Sequence, residues 1–136
     1  MVALLADDPL GAERETPSDP PAACYLDAFD AITNNANVLL AVAEMEGEVV
    51  GCLQLDLLPG LSWRGAWRGQ LESVAVARRL RGRGIGAAMI RWALAHCRER
   101  GCALVQLTSH KSRTRAHRFY ARLGFEASHE GMKCVL

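Results

Sequence analysis

Residues 78–86, "RRLRGRGIG", place four arginines and three glycines in nine positions. Glycine lets a backbone approach an anion closely, and arginine forks match phosphate oxygens. Where such a run opens a helix, unpaired N–H groups and the positive helix terminus add to the pull. The chemistry this suggests is a pyrophosphate cradle. Crowded arginines also repel one another, and a phosphate-bearing ligand would relieve that. Six residues earlier, Glu72 stands between apolar neighbours in "QLESVAV". Alternation along a strand puts it on the face of Val74 and Val76, and a buried carboxylate without a partner is rare. The position of Glu72 is therefore informative.

Other anion motifs fit less well. Gly82, Gly84 and Gly86 read G-x-G-x-G, whereas a dinucleotide fingerprint needs G-x-G-x-x-G. No glycine is followed by the Lys-Ser/Thr pair of a Walker loop. The five cysteines form no C-x-x-C pair, and their odd count argues against a closed disulfide set. The four histidines show no metal spacing, so no metal is expected.

The cradle must be held by ordered elements. Ile85, Ala88, Met89, Trp92, Ala93, His96 and Cys97 recur at helical spacing and predict one buried helix face, with Gly101 as its stop. "ALVQLT" is apolar on both faces and predicts a central, parallel strand, which completes a βαβ unit with "QLESVAV". "NVLLAVAEM" and "VVGCLQLDLL", separated by "EGE", predict an antiparallel hairpin. "MVALLADD" and "PAACYLDAFDAITNN" predict helices, with a loop between them. "PGLSWRGAWRG" predicts a second loop, carrying Trp63 and Trp67. "SRTRAHRFYARLG" predicts a helix striped by Ala116, Phe119, Tyr120 and Leu123, and "FEASHEGMKCVL" one or two closing strands. The order predicts an α/β fold with a mixed sheet, as one domain over residues 1–136.

Half of the 136 residues are apolar and the formal net charge is +1, as in ordinary globular proteins. Charge is nevertheless split along the chain. Residues 1–66 carry eleven acidic and two basic side chains, and residues 67–136 four acidic and fourteen basic ones. The second half is expected to face an anion, and the first half could face a cation. No apolar run approaches the roughly 18 residues of a membrane span, and the N-terminus is too acidic for a signal peptide. The expected location is the cytoplasm.

Arg81, Gly84 and Gly86, following "LESVAV" and opening a helix, resemble the acetyl-CoA loop of the GNAT acetyltransferase superfamily. Downstream, "AHRFYARLGFEA" resembles that family's A-x-x-x-Y-x-x-x-G-F segment through Ala116, Tyr120, Gly124 and Phe125. Both motifs, in register, cover residues 70–130. More loosely, "AHRFY" followed by "SH" is similar to the aminoalkylphosphonate N-acetyltransferase branch.

The resemblance implies a mostly antiparallel mixed sheet flanked by helices, with one parallel βαβ unit at the acetyl-CoA site. It implies acetyl transfer to the primary amine of a small molecule by direct attack in a ternary complex. Val74, Ala75 and Val76 would align the pantetheine arm. Arg81, Gly82, Arg83, Gly84, Ile85, Gly86 and Ala87 would cradle the pyrophosphate. Tyr120 would protonate the departing thiolate, and Glu72 stands where many members keep a carboxylate base. Such proton transfers contribute roughly 10²–10⁴-fold each. Arg113 occupies a CoA-facing position that is often Asn in the family. The acidic "DDPLGAERETPSD" loop could attract a cationic acceptor, and Trp63 and Trp67 could wall its pocket.

Two other functions remain to be weighed. One is a CoA-binding sensor without catalysis. The other is a nucleic-acid-binding module using the basic half, but residues 78–118 interleave only Trp92 among their basic side chains. The chain begins at what looks like the family's first helix, without the strand that usually precedes it. The "NVLLAVA" strand would then have an unpaired edge, which predicts a homodimer or an upstream coding segment that restores the strand.

Overall fold

The computed structural model describes residues 1–135. Two single-turn helices, α1 (Val2–Leu5) and α2 (Pro9–Ala12), lead into the longer α3 (Ala23–Thr33). Asp8 starts α2 inside the predicted loop, because its carboxylate accepts from the N–H groups of Leu10 and Gly11, both at 3.0 Å. The hairpin follows as β1 (Val38–Met45) and β2 (Glu48–Leu58). Glu46 and Gly47 both have positive φ, the two-residue turn that matches strand twist. A left-handed turn, α4 (Ser62–Gly65), precedes β3 (Trp67–Val76). The long helix α5 (Ile85–Glu99), strand β4 (Cys102–Leu107) and α6 (Thr114–Ala121) complete the order.

The four strands form one sheet in the order β1-β2-β3-β4. β1–β2 and β2–β3 are antiparallel and β3–β4 is parallel, the mixed sheet expected. The core lies between one sheet face and α5. Leu53, Leu55, Leu57 and Leu71 from the strands meet Met89, Ile90, Ala93 and Cys97 from the helix. Burying such side chains stabilises by about 1.5–3 kcal/mol each and fixes α5 against β3.

Four expectations change. The buried face of α5 is rotated: Ile90 is fully enclosed, whereas Trp92 is 44 % exposed and stacks on His96 instead. β4 is parallel as expected but forms an edge among the described residues. Its apolar outer positions are only half-buried. No strand forms among residues 125–135, so the expected closing strands are absent there; the final position of that stretch, Leu136, lies outside the described residues. Glu72 does not share a face with Val74 and Val76. Ser73 has φ +53° and adds one residue to β3 between the pairs Gln54–Glu72 and Cys52–Ala75. This bulge resets the alternation. Val74 and Val76 pack on the core, and Glu72 turns to the opposite face with Gln54, Asp56 and Gln70.

Candidate active site

Pairing between β3 and β4 ends at Leu71–Leu107. β4 also ends at Leu107, so β3 continues through Glu72–Val76 beyond its end, and this open stretch leaves a gap beside β3. Peptide groups on that side of β3 are left without a sheet partner, as a sheet edge leaves them. The bulge at Ser73 sits at the mouth of this gap, and Val74, Ala75 and Val76 line its β3 side.

The 78–86 loop closes one end. Gly82 and Gly84 have φ of +81° and +86°, conformations that L side chains rarely adopt. Gly84 caps α5 without any side-chain hydrogen bond. The first intrahelical bond runs from Ala88 N–H to Gly84 at 3.0 Å. The N–H groups of Ile85, Gly86 and Ala87 therefore point out of the helix end without an acceptor among the described residues. Gly86 has a packing role as well: a Cβ there would lie 3.4 Å from the Phe119 ring, so α6 comes close at this point.

Carboxylates of the chain offset part of the repulsion among the loop arginines. Asp7 pairs with Arg78 at 3.5 Å and with Arg81 at 3.8 Å, and Glu48 pairs with Arg79. Arg81 also donates to the Val76 carbonyl at 2.9 Å and to the Asp7 carbonyl at 2.8 Å. It braces the loop against β3 and the segment between α1 and α2. Arg83 makes no ion pair among the described residues. Asp8 pairs with Arg113. Two acidic residues expected to attract a cationic acceptor are thus occupied by arginines.

Burial pushes the Asp8 carboxyl up, but the Gly11 N–H, the Arg113 guanidinium and the Leu10 N–H outweigh it and hold it below 3.8. A depressed carboxyl contributes stability above its unfolded value, and loses it as pH falls through the folded one. Asp8→Ala should lower stability at pH 7 by about 1 kcal/mol through the lost cap. It should also flatten the part of the acid-unfolding curve below pH 3.8 that Asp8 supplies. Urea titrations between pH 2 and 7 check both effects.

Tyr120 lies half-buried, edge-on to Phe119 at 5.1 Å and to Phe125 at 5.7 Å. Burial raises its phenol above 10, the Arg113 cation pulls it back, and the Glu72 carboxylate raises it further. Glu72 and Arg113 are therefore each within electrostatic reach of Tyr120. The phenol keeps its proton across the neutral range. Glu72 is itself oriented: Gln106 donates to Gln70 and Gln70 donates to Glu72, both at 2.8 Å. Sequence reasoning missed Gln70 and Gln106. Their two-residue and cross-strand relations to Glu72 become visible only once the β3–β4 register is known.

The tryptophans do not join this group. Trp67 precedes Glu72 by five strand residues, about 17 Å. Trp63 is 73 % exposed, and the cavity beside both indoles holds about 30 Å³, room for a single water. Two buried thiols are held in the protonated form. Burial raises Cys52, and burial with the neighbouring Cys102 thiol pushes Cys97 up to about 11.

A model of the acetyltransferase (GNAT) family matches residues 4–125. The chain belongs to the GNAT acetyltransferase family. An aminoalkylphosphonate N-acetyltransferase from Salmonella typhimurium is 34 % identical over 105 residues, 77 % of this chain and 68 % of that protein. Together with the family match, this makes the chain a GNAT N-acetyltransferase. The crystal structure of a transcriptional regulator from Bacillus halodurans C-125 superposes with a TM-score of 0.97 at 45 % identity, covering 100 % of this chain and 91 % of that one. Glucosamine-6-phosphate N-acetyltransferase from Arabidopsis thaliana shares the GNAT fold, with a TM-score of 0.80 at 19 % identity, covering 99 % and 88 %. No helix among the described residues is long and apolar enough to cross a membrane.

Proposed function

We propose that this GNAT N-acetyltransferase moves the acetyl group of acetyl-CoA to a primary amine of a small molecule, by direct attack in the gap beside β3, beyond the end of β4. The observation that carries the reading is the stretch of β3 beyond the end of β4, which holds Glu72, beside a helix terminus without a side-chain cap; the fields of Glu72 and Arg113 both reach Tyr120. The residues fit an acyl-CoA. Three free N–H groups at Ile85–Ala87 and the left-handed glycines suit a pyrophosphate. The donor supplies an activated thioester when bound. Backbone at Val74–Val76 aligns its arm. Glu72, held by Gln70, removes a proton from the amine directly or through one water. Tyr120 supplies a proton from its hydroxyl to the leaving sulfur. Neither step needs a covalent nucleophile or a metal ligand set.

Thiol release from acetyl-CoA across a panel of amines tests this. An aminoalkylphosphonate heads the panel, because the Salmonella relative carries that name. Release above the amine-free rate with at least one amine is the expected result. The alternative of a CoA-binding sensor draws on the name of the Bacillus relative. It would be favoured by saturable acetyl-CoA binding with no release from any amine.

The edge of β1 bears on assembly. Val42 is 50 % exposed there, and nothing among the described residues pairs with that edge. Exposed edges recruit partners. A homodimer in the cytoplasm is the expected state. Light scattering of the chain should return twice its 14.8 kDa mass; a stable monomer would remove this part of the proposal.

A further inference from the structure

Away from the gap, α5 and the turn after α6 line an open cavity of about 350 Å³, bordered by Arg91, Leu94, Arg98, Arg122, Leu123 and Gly124. That volume lies within the range of small-molecule sites. Arg91 and Arg98 are seven residues apart, so they project from one side of α5 two turns apart, with Leu94 between them. Arg122 comes from the other wall. Among the described residues the ion pairs engage Arg78, Arg79, Arg81 and Arg113, and none of these three. No carboxylate lines the cavity. Three arginines bordering one concavity repel each other, and no ion pair among the described residues offsets this as Asp7 and Glu48 do at the loop.

Solvated arginines on an outer helix face are common, but here two separate elements contribute them to one hollow. Leu94 and Leu123, both half-buried, give the hollow an apolar floor. Along the α5 axis, Arg91 lies about 10 Å and Arg98 about 20 Å from Gly84. The cavity is therefore separate from the helix terminus assigned above to acetyl-CoA. We infer that it is a second anion site, taking a compact oxyanion with at least two negative charges and a short apolar part. Bidentate guanidinium contacts supply the recognition.

Inorganic pyrophosphate at fixed ionic strength is the probe, with acetyl-CoA present at saturation to occupy the gap. The expected result is a rise in melting temperature of about 4 °C at ten times the pyrophosphate Kd. The R91Q/R98Q double variant should lose the rise and keep both its baseline melting and its acetyl-CoA response. Arg122→Gln alone should weaken the affinity roughly tenfold, and it decides the matter should the double variant fold poorly. If acetyl-CoA itself does not bind, the same arm is run on Gly84→Asp protein, so failure of the acetyl-transfer reading is separable. No rise, or a rise that survives R91Q/R98Q, overturns the inference. So does a rise that acetyl-CoA abolishes, which would place pyrophosphate at the loop. Loss of acetyl-CoA affinity in R91Q/R98Q with 3′-dephospho-CoA binding unchanged also overturns it, since the cavity would then hold the 3′-phosphate of the donor.

Discussion

Tyr120→Phe lowers turnover by roughly 10–10³-fold, on the scale of a lost general acid. The substitution keeps the ring, and with it the edge contacts to Phe119 and Phe125. Only the hydroxyl goes. Acetyl-CoA affinity should stay within a few-fold, because in the proposed site backbone N–H groups at Ile85–Ala87 and the loop would carry it. Burial and the Glu72 carboxylate favour the protonated phenol, so the wild-type rate should not fall on the alkaline side from Tyr120 ionisation until pH exceeds 10. A structural tyrosine would behave otherwise. Stability would drop by about 1 kcal/mol for a lost hydrogen bond, with turnover per folded molecule intact. Melting temperature and kcat measured on one preparation separate the two. Full activity in Tyr120→Phe removes Tyr120 from the mechanism.

Gly84→Asp should abolish the rise in melting temperature that acetyl-CoA produces in the wild type. Nothing lies within 4 Å of a Cβ at Gly84, so the replacement does not collide with the fold. Its φ of +86° costs a non-glycine residue roughly 1–2 kcal/mol. Aspartate tolerates this region better than most and caps a helix, which offsets part of that cost. What remains is a carboxylate set against the diphosphate. Gly84→Asn keeps the shape without the charge and should retain part of the response. Loss in both variants alike would point to backbone strain, and a full response in Gly84→Asp would move the donor elsewhere.

The loop and α5 were legible in the sequence because their signals are local. Glycines at alternate positions and a 3.6-residue stripe need no tertiary context. The parallel pairing of β4 followed from the intervening helix, but not its place at an edge. Apolar residues on both faces indicate burial without saying which neighbour provides it. Ser73 was illegible: a serine at φ +53° inside a strand leaves no mark in composition, and the bulge it forms reverses the face of Glu72. Asp7 and Asp8 were misjudged for a different reason. Their partners Arg78, Arg81 and Arg113 lie 71 to 105 residues away, beyond any periodicity. The polar chain from Gln106 through Gln70 to Glu72 depends on a register that only the folded sheet defines.

A crystal structure of the acetyl-CoA complex tests the central claim most directly. The account predicts pyrophosphate oxygens on the N–H groups of Ile85–Ala87, the pantetheine arm along Val74–Val76, and the thioester sulfur within hydrogen-bond reach of the Tyr120 hydroxyl, with Glu72 facing the acetyl carbon from the acceptor side. Acetyl-CoA seated in the Arg91–Arg98–Arg122 cavity, or bound with its thioester remote from both Tyr120 and Glu72, would contradict it.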